Sequence, residues 1–136
     1  MAFDRQIAAL TIFSEASNQS PECRRAIAFS IFNRMRLNPV RYGHTIAAVC
    51  LKRMQYSEWN ADTVDNANLL RAASTLETDG VMQDCLAAYQ QALTGGADPS
   101  NGATHFYARS IAAPSWTQSA TLAAQLGDVL FWRDVP

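Results

Sequence analysis

The feature that most constrains the fold is a three- to four-residue spacing of apolar side chains over residues 3–92, interrupted by proline and glycine. Phe3, Ile7 and Leu10 begin this pattern and predict a first helix that ends around residues 14–17. Ser20-Pro21 has the form of a helix N-cap followed by proline at the first helical position. It predicts a second helix that runs to about residue 36.

Helix-breaking and helix-capping residues further along the chain predict three more helices and a C-terminal part of a different kind. Asn38-Pro39 and Gly43 indicate an irregular stretch, followed by helices over residues 45–54, from Asp62 onward, and over residues 81–92. From residue 97 the helical spacing disappears, and residues 104–109 and 129–133 are candidate extended segments that could pair. We therefore expect one mainly α (α+β) domain over residues 1–136, with about five helices and a small irregular or β-containing lobe.

Composition excludes several classes of protein. Hydrophobic residues make up 49% and charged residues 17%, so a disordered chain is excluded and a core can form without disulfides. A net charge of −1 argues against a strongly basic nucleic-acid binder, and no run approaches the roughly 20 apolar residues of a membrane span. Five arginines are interpreted as a solvated helix face that could also meet an anionic polymer: Arg24, Arg25, Arg34, Arg36 and Arg41.

Cysteine and histidine usage gives no sign of a cofactor or a metal. The three cysteines lack the spacing of a zinc ribbon and are predicted to be buried free thiols. Cys50 with His105 could in principle form the nucleophile and base of a peptidase or amidase. The apolar neighbours of Cys50 would raise rather than lower its pKa, which argues against that pairing. His44 and His105 have no ligand spacing around them, so we expect no metal.

Glu15 is the candidate catalytic residue. It follows an apolar run and lies near the predicted C-terminal end of the first helix, where the helix dipole disfavours negative charge. Both features favour the protonated carboxyl, which is the form that a glycosidase uses to protonate a leaving-group oxygen. A solvated glutamate at a frayed helix end is the alternative interpretation.

Two further clusters contain the side chains that commonly hold sugars. Residues 54–60 include Gln55, Tyr56, Ser57 and Trp59, which supply an amide, a hydroxyl and aromatic faces. They could equally be a capping segment whose aromatic rings complete the core.

The second of these clusters covers residues 98–108 and includes Thr104, His105 and Tyr107. In a strand, Tyr107 would share a face with His105 and Thr104 would share the opposite face with Phe106. His105 could be a general base, a substrate contact or a structural histidine with a satisfied hydrogen bond.

Six short motifs in order resemble the cell-wall hydrolase family that includes the spore-cortex-lytic enzymes. The series begins with Glu15-Ala16 at the end of the first helix, with serine instead of the usual glycine before it, and ends with an aromatic-Arg pair. Its members here are Glu15-Ala16, Asn33-Arg34, Gln55-Tyr56-Ser57 before Trp59, Asp98-Pro99 with residues 102–107, Pro114-Ser115-Trp116, and Trp132-Arg133. The series spans nearly the whole chain.

The resemblance implies a lysozyme-like α fold and cleavage of the peptidoglycan glycan strand between N-acetylmuramic acid and N-acetylglucosamine. Glu15 inherits the role of the acid. The spore enzymes resemble lytic transglycosylases, in which one glutamate suffices. A hydrolytic muramidase would need a second carboxylate, for which Glu22, Glu58 and Asp98 are the candidates. A non-catalytic peptidoglycan-binding accessory of lysis is a further alternative.

The resemblance also carries expectations about partners and location. The expected partner is the peptidoglycan glycan strand, without nucleic acid or membrane insertion, and the chain is expected to be a monomer. The start of the chain does not resemble a signal peptide. With no further binding module recognised, the chain resembles a bacteriophage endolysin. Such a protein would be made in the host cytoplasm and act on the wall in the periplasm or envelope.

Overall fold

A computed structural model describes residues 2–52, 56–60, 66, 69 and 79–136. These residues form five helices: α1 (Ala2–Ala16), α2 (Pro21–Leu37), α3 (Pro39–Tyr42), α4 (Ile46–Leu51) and α5 (Gly80–Thr94). They also form three strands, β1 (His105–Ala108), β2 (Thr121–Leu126) and β3 (Val129–Arg133). Short 3-10 turns cover Ser57–Trp59 and Ser115–Ser119. The mainly α expectation with a small β lobe is confirmed.

Local capping explains where α2 begins. The Ser20 hydroxyl accepts a hydrogen bond from the Cys23 amide at 3.1 Å, and Pro21 occupies the first turn. At the other end, Asn38 accepts from the Arg41 amide at 3.0 Å and caps a new short helix, α3. The prediction that residues 39–42 are irregular was therefore wrong, because Asn38-Pro39 ends one helix and also begins the next.

Gly43 allows the chain to turn closely against α4. Its φ is +141°, and a Cβ there would lie 2.7 Å from the Val49 amide nitrogen. Thr45 caps α4, which ends at Leu51 and is shorter than the helix predicted over residues 45–54. The predicted helix that begins at Asp62 lies mostly outside the described residues. Of its residues, Asn66 and Leu69 are described as helical, and Leu69 is buried.

The core lies between α1, α2 and α5. Their apolar stripes meet at fully buried side chains such as Ile12, Ile27 and Met82. All three cysteines are free and buried, as predicted from the apolar faces on which they lie. Burial of this kind stabilises a helical domain by roughly 1.5–3 kcal/mol for each large side chain. No described helix has both the length and the apolar character that a bilayer crossing requires.

The three strands form an antiparallel sheet in the order β1-β3-β2. The predicted pairing of residues 104–109 with residues 129–133 is confirmed, with His105 opposite Trp132 and Ala108 opposite Val129. Strand β2 was not predicted. It is joined to β3 by the two residues Gly127-Asp128, where Gly127 has a φ of +58° that suits the first position of a tight hairpin.

Candidate active site

Glu15 is half-buried in the last turn of α1. Its neighbours Ile12 and Ala16 are buried in the core, so one side of the residue faces protein. Glu15 also contributes to the electrostatic surroundings of Tyr56, whose phenol is buried. Glu15 is therefore near enough to Tyr56 for its charge to affect the phenol, and it is half-buried within the helix.

Arg24 supplies hydrogen-bond donors to the C-terminal end of α1. Its guanidinium donates to the backbone carbonyls of Ala16, Ser17 and Gln19 at 2.8–3.1 Å, and it forms an ion pair with Asp84 at 2.8 Å. A positive charge at this position satisfies the exposed carbonyls and opposes the negative end of the helix dipole. The solvated-face interpretation was wrong for Arg24 and Arg34, since both are buried.

The segment around Tyr56 and Trp59 lies against the same helix. The Trp59 indole donates to the Thr11 hydroxyl at 2.8 Å, and Thr11 donates in turn to the Ile7 carbonyl at 2.8 Å. Thr11 and Glu15 are four residues apart on α1 and so share a face. Trp59 and Tyr56 are therefore brought to the side of α1 that bears Glu15. Ser57 begins the 3-10 turn, and Gln55 lies outside the described residues.

Arg34 links this segment to the sheet lobe. Its guanidinium lies 5.0 Å from the ring centroid of Tyr56 and 5.4 Å from that of Tyr42. Its Nε donates to the Thr104 carbonyl, just before β1. Desolvation raises the pKa of Tyr56, and the Arg34 charge partly offsets that rise. One buried cation therefore contacts both predicted sugar-binding clusters.

Asn33 and Asp98 fix the loop that leads into β1. Asn33 donates from Nδ2 to an Asp98 carboxylate oxygen and to the Ala103 carbonyl, each at 2.9 Å. The same carboxylate accepts from the Ser100 amide and hydroxyl and from the Gly102 amide at 2.7–3.0 Å. Asp98 is thus occupied in holding the loop.

The other two candidate second carboxylates differ in burial. Glu22 is exposed in the first turn of α2, whereas Glu58 is only 1% exposed.

His105 follows this loop and is a half-buried neighbour of Thr104. The Thr104 hydroxyl lies 2.8 Å from His105 Nδ1. Burial lowers the pKa of His105 from 6.5 to about 4, and the Arg34 and Arg41 charges act in the same direction. The imidazole is therefore neutral near pH 7. Thr104 is itself buried.

Tyr107 belongs to an aromatic wall that we define as Tyr107, Trp116 and Trp132. The Tyr107 and Trp132 rings are stacked at an interplanar angle of 16°, with centroids 6.3 Å apart. Trp116 meets both edge-on at 6.0–6.1 Å and also contacts the His105 ring at 5.1 Å. His105 and Tyr107 share a face of β1, as predicted, because both contact Trp116.

This wall borders a cleft of about 480 Å³. The residues that line the cleft are mainly aromatic or cationic: Arg34, Arg41, Tyr42, Lys52, His105, Phe106, Tyr107, Pro114 and Trp116. Glu15 is not among these residues and is connected to the cleft through Tyr56 and Arg34. The structure therefore brings Tyr56 and Trp59 to Glu15, and His105 and Tyr107 to the cleft, with Arg34 between the two groups.

Most residues that line the cleft were not predicted as site residues from the sequence, among them Tyr42, Trp116, Arg41 and Lys52. Trp116 carried a signal, because it belongs to a motif that was noted without being given a role. Tyr42 carried none, since an aromatic residue near a helix break is equally expected in a core.

The described residues give little support for a cysteine nucleophile or a metal site. Desolvation raises the pKa of Cys50 to about 12, which suppresses the thiolate that a nucleophile needs. Within those residues, no group of three or more histidine, cysteine or acidic side chains converges as a metal site would require.

Comparison with known proteins places the chain in a family. The family model described as Cell Wall Hydrolase matches residues 18–132, and the chain belongs to the cell wall hydrolase family, a class of enzymes. Glu15 lies three residues before the matched region. No curated protein matches the sequence.

Two solved structures share the fold. The catalytic domain of the germination-specific lytic transglycosylase SleB from Bacillus anthracis is 17% identical, with a TM-score of 0.69 over 94% of this chain and 92% of that one. The catalytic domain of the Bacillus cereus SleB protein is also 17% identical, with a TM-score of 0.68 over 96% and 90%. The lysozyme-like architecture expected from the motifs is thereby confirmed at the level of fold.

Proposed function

We propose that this cell wall hydrolase cleaves the peptidoglycan glycan strand between N-acetylmuramic acid and N-acetylglucosamine, with Glu15 as its acid. The main supporting observation is that the half-buried Glu15 acts electrostatically on Tyr56, whose ring contacts Arg34, a residue that lines a cleft with an aromatic wall. Aromatic faces pack against sugar rings, and the proposed substrate-binding residues are Gln55, Ser57, Trp59, His105 and Tyr107. The buried Tyr56 and Thr104 are proposed to position them. Residues 1–136 would constitute the catalytic domain.

The proposed chemistry is of the lytic transglycosylase type. Glu15 donates its proton to the glycosidic oxygen, the C1–O4 bond breaks, and the glucosamine leaves with a free C4 hydroxyl. The Glu15 carboxylate then accepts the proton of the muramic C6 hydroxyl while C6–O bonds to C1, which gives a 1,6-anhydro sugar. No water is consumed, so a single carboxylate serves as acid and then as base.

The placement of the three candidate second carboxylates supports this choice over a hydrolytic muramidase. Both Asp98 oxygens already accept hydrogen bonds within the loop, Glu58 is removed from solvent, and Glu22 is exposed on α2. A hydrolase needs a carboxylate about 5–9.5 Å from the acid with access to water or to the sugar. Asp98 therefore lacks free acceptor oxygens, Glu58 lacks exposure, and Glu22 does not line the cleft.

The first test replaces Glu15 with glutamine, which keeps the shape and removes the proton. We expect Glu15→Gln to release soluble fragments from purified sacculi at least about 100-fold more slowly than the unaltered protein, because general acid catalysis contributes about 10²–10⁴-fold. Glu22→Gln is the matched control, since it makes the same change at an exposed residue. Near-normal cleavage by Glu15→Gln would remove Glu15 from the mechanism.

Mass spectrometry of the fragments separates the chemistries. Anhydromuropeptides, lighter by one water than reducing ends, identify a transglycosylase, whereas reducing ends identify a muramidase. Binding to sacculi without any release would identify the non-catalytic accessory. We further propose a role in bacterial lysis at the envelope; monomeric state, synthesis in a host cytoplasm and endolysin origin stay predictions.

A further inference from the structure

The cleft has an uneven charge distribution. Arg34, Arg41 and Lys52 line it, and the described residues that line it include no carboxylate. His105 adds no positive charge near neutral pH, because its pKa is about 4. The whole chain carries a net charge of −1, so three cations around one cleft represent a local concentration of charge.

The three cations differ in the contacts that they already make within the protein. Arg34 is buried between two tyrosine rings and donates to the Thr104 carbonyl. Arg41 and Lys52 are exposed, and neither forms an ion pair within the part of the chain that the structure describes. The Arg41 guanidinium lies 4.8 Å from the centroid of the Tyr42 ring, which holds it at the edge of the cleft. Two charged groups at the cleft thus have donors available for a ligand.

Resting on the function proposed above, we propose that Arg41 and Lys52 bind a carboxylate of the muramic acid side chain, so that the enzyme selects anionic glycan strands. Muramic acid differs from glucosamine by a lactyl ether, whose carboxylate is either free or joined to a stem peptide that carries its own carboxylates. A sugar ring against the aromatic wall would place these groups near the cations. A neutral glucosamine polymer would lack this contact.

The experiment measures binding in a Glu15→Gln background, so that the ligand survives. Three soluble ligands are compared: glycan strands with stem peptides, strands freed of stems by an amidase, and freed strands whose lactyl carboxylates have been converted to amides. The test variant is Arg41→Gln with Lys52→Gln. The matched control is Arg5→Gln with Arg25→Gln, which removes two charges from residues that do not line the cleft.

We expect the test variant to raise the Kd for carboxylated strands roughly fivefold to tenfold at low salt, since each exposed charge pair contributes little. The effect should shrink at about 0.5 M salt because exposed charges are then screened. Amidated strands and the control variant should show no comparable change. A loss with stem-free strands identifies the lactyl carboxylate, and a loss confined to stem-bearing strands identifies the peptide.

Three outcomes overturn the proposal. They are an unchanged Kd of the test variant for carboxylated strands, an equal Kd change for carboxylated and amidated strands, and an equal loss in the Arg5 and Arg25 control. Each of these results leaves the Glu15 cleavage test unaffected. Conversely, full cleavage by Glu15→Gln would reject the proposed mechanism, and the ratio of cleavage rates between carboxylated and amidated strands, compared between the test and control variants, would then report on the cations.

Discussion

His105 shows how a single residue can be located from sequence while its chemical state cannot. Its place in a short extended segment beside Thr104 was predicted, as was the face that it shares with Tyr107. Its depressed pKa depends on burial and on two arginines that come from α2 and α3. Such long-range neighbours are invisible in a local pattern, so the sequence left its role open among base, contact and structural residue.

The lowered pKa of His105 predicts that the stability of the fold depends on pH. The unfolded chain takes up a proton near pH 6.5, whereas folded His105 does so only near pH 4. The unfolded state therefore binds more protons between these values, and this contribution to stability is lost as the pH falls from 6.5 toward 4. We expect the urea midpoint of the unaltered protein to fall more between pH 7 and pH 5 than that of His105→Gln.

His44→Gln is the control for that comparison, because His44 is exposed. It should retain the pH dependence of the unaltered protein. Identical pH dependence in His105→Gln would show that His105 does not remain neutral in the fold.

At the scale of elements, the limits of α2 and α5 could be predicted, whereas strand β2 could not. The Ser20-Pro21 signal depends only on neighbouring residues, and α2 and α5 begin and end close to where they were predicted. Strand β2 was missed because its side chains alternate poorly between buried and exposed, and none is fully buried. Its extended form depends on pairing with β3, a contact that lies outside any local window.

The loop between α5 and β1 yields a prediction at the same scale. Asp98→Asn replaces one of the two oxygens that accept from Asn33, Ser100 and Gly102. We expect the free energy of unfolding to fall by about 2–4 kcal/mol, because hydrogen bonds to charged groups contribute about 1.5–3 kcal/mol each. Urea unfolding at pH 7 measures the change.

The control for the loop is Asp128→Asn in the exposed hairpin turn, where asparagine is well tolerated. Its effect should stay within about 0.5 kcal/mol. Equal stability of the two variants would mean that the Asp98 hydrogen bonds do not hold the loop.

At the scale of the whole molecule, Arg24 joins three helices. It extends from α2 to the carbonyls at the end of α1 and to Asp84 on α5. We expect Arg24→Met to lower the free energy of unfolding by about 3–5 kcal/mol, since it leaves buried polar groups without a donor. Thermal or urea unfolding checks this value.

Arg25→Met is the matched control for Arg24, being the next residue and only partly buried. We expect its cost to stay below about 1 kcal/mol. A similar loss in both variants would show that the contacts of Arg24 add nothing beyond those of an ordinary helix residue.

The overall architecture could be predicted, because the order of the motifs along the chain indicates it. The three-dimensional arrangement of the site residues could not be predicted. Arg24 and Arg34 were expected on a solvated face because arginine is usually exposed. Their burial depends on distant partners. Asp84 is 60 residues from Arg24, and Thr104 is 70 residues from Arg34. The arrangement of Arg34 between Tyr42 and Tyr56 likewise requires the three-dimensional fold.

The order of the strands has a consequence for synthesis. β3 is the central strand of the sheet, yet it follows both β1 and β2 along the chain. A nascent chain folds from its N-terminus, so its helices can assemble while neither outer strand has a partner. The aromatic wall includes Trp132 from β3 and is incomplete until that strand has been translated. On the ribosome, Glu15, the proposed acid, is therefore translated and able to fold into α1 long before the aromatic wall is complete.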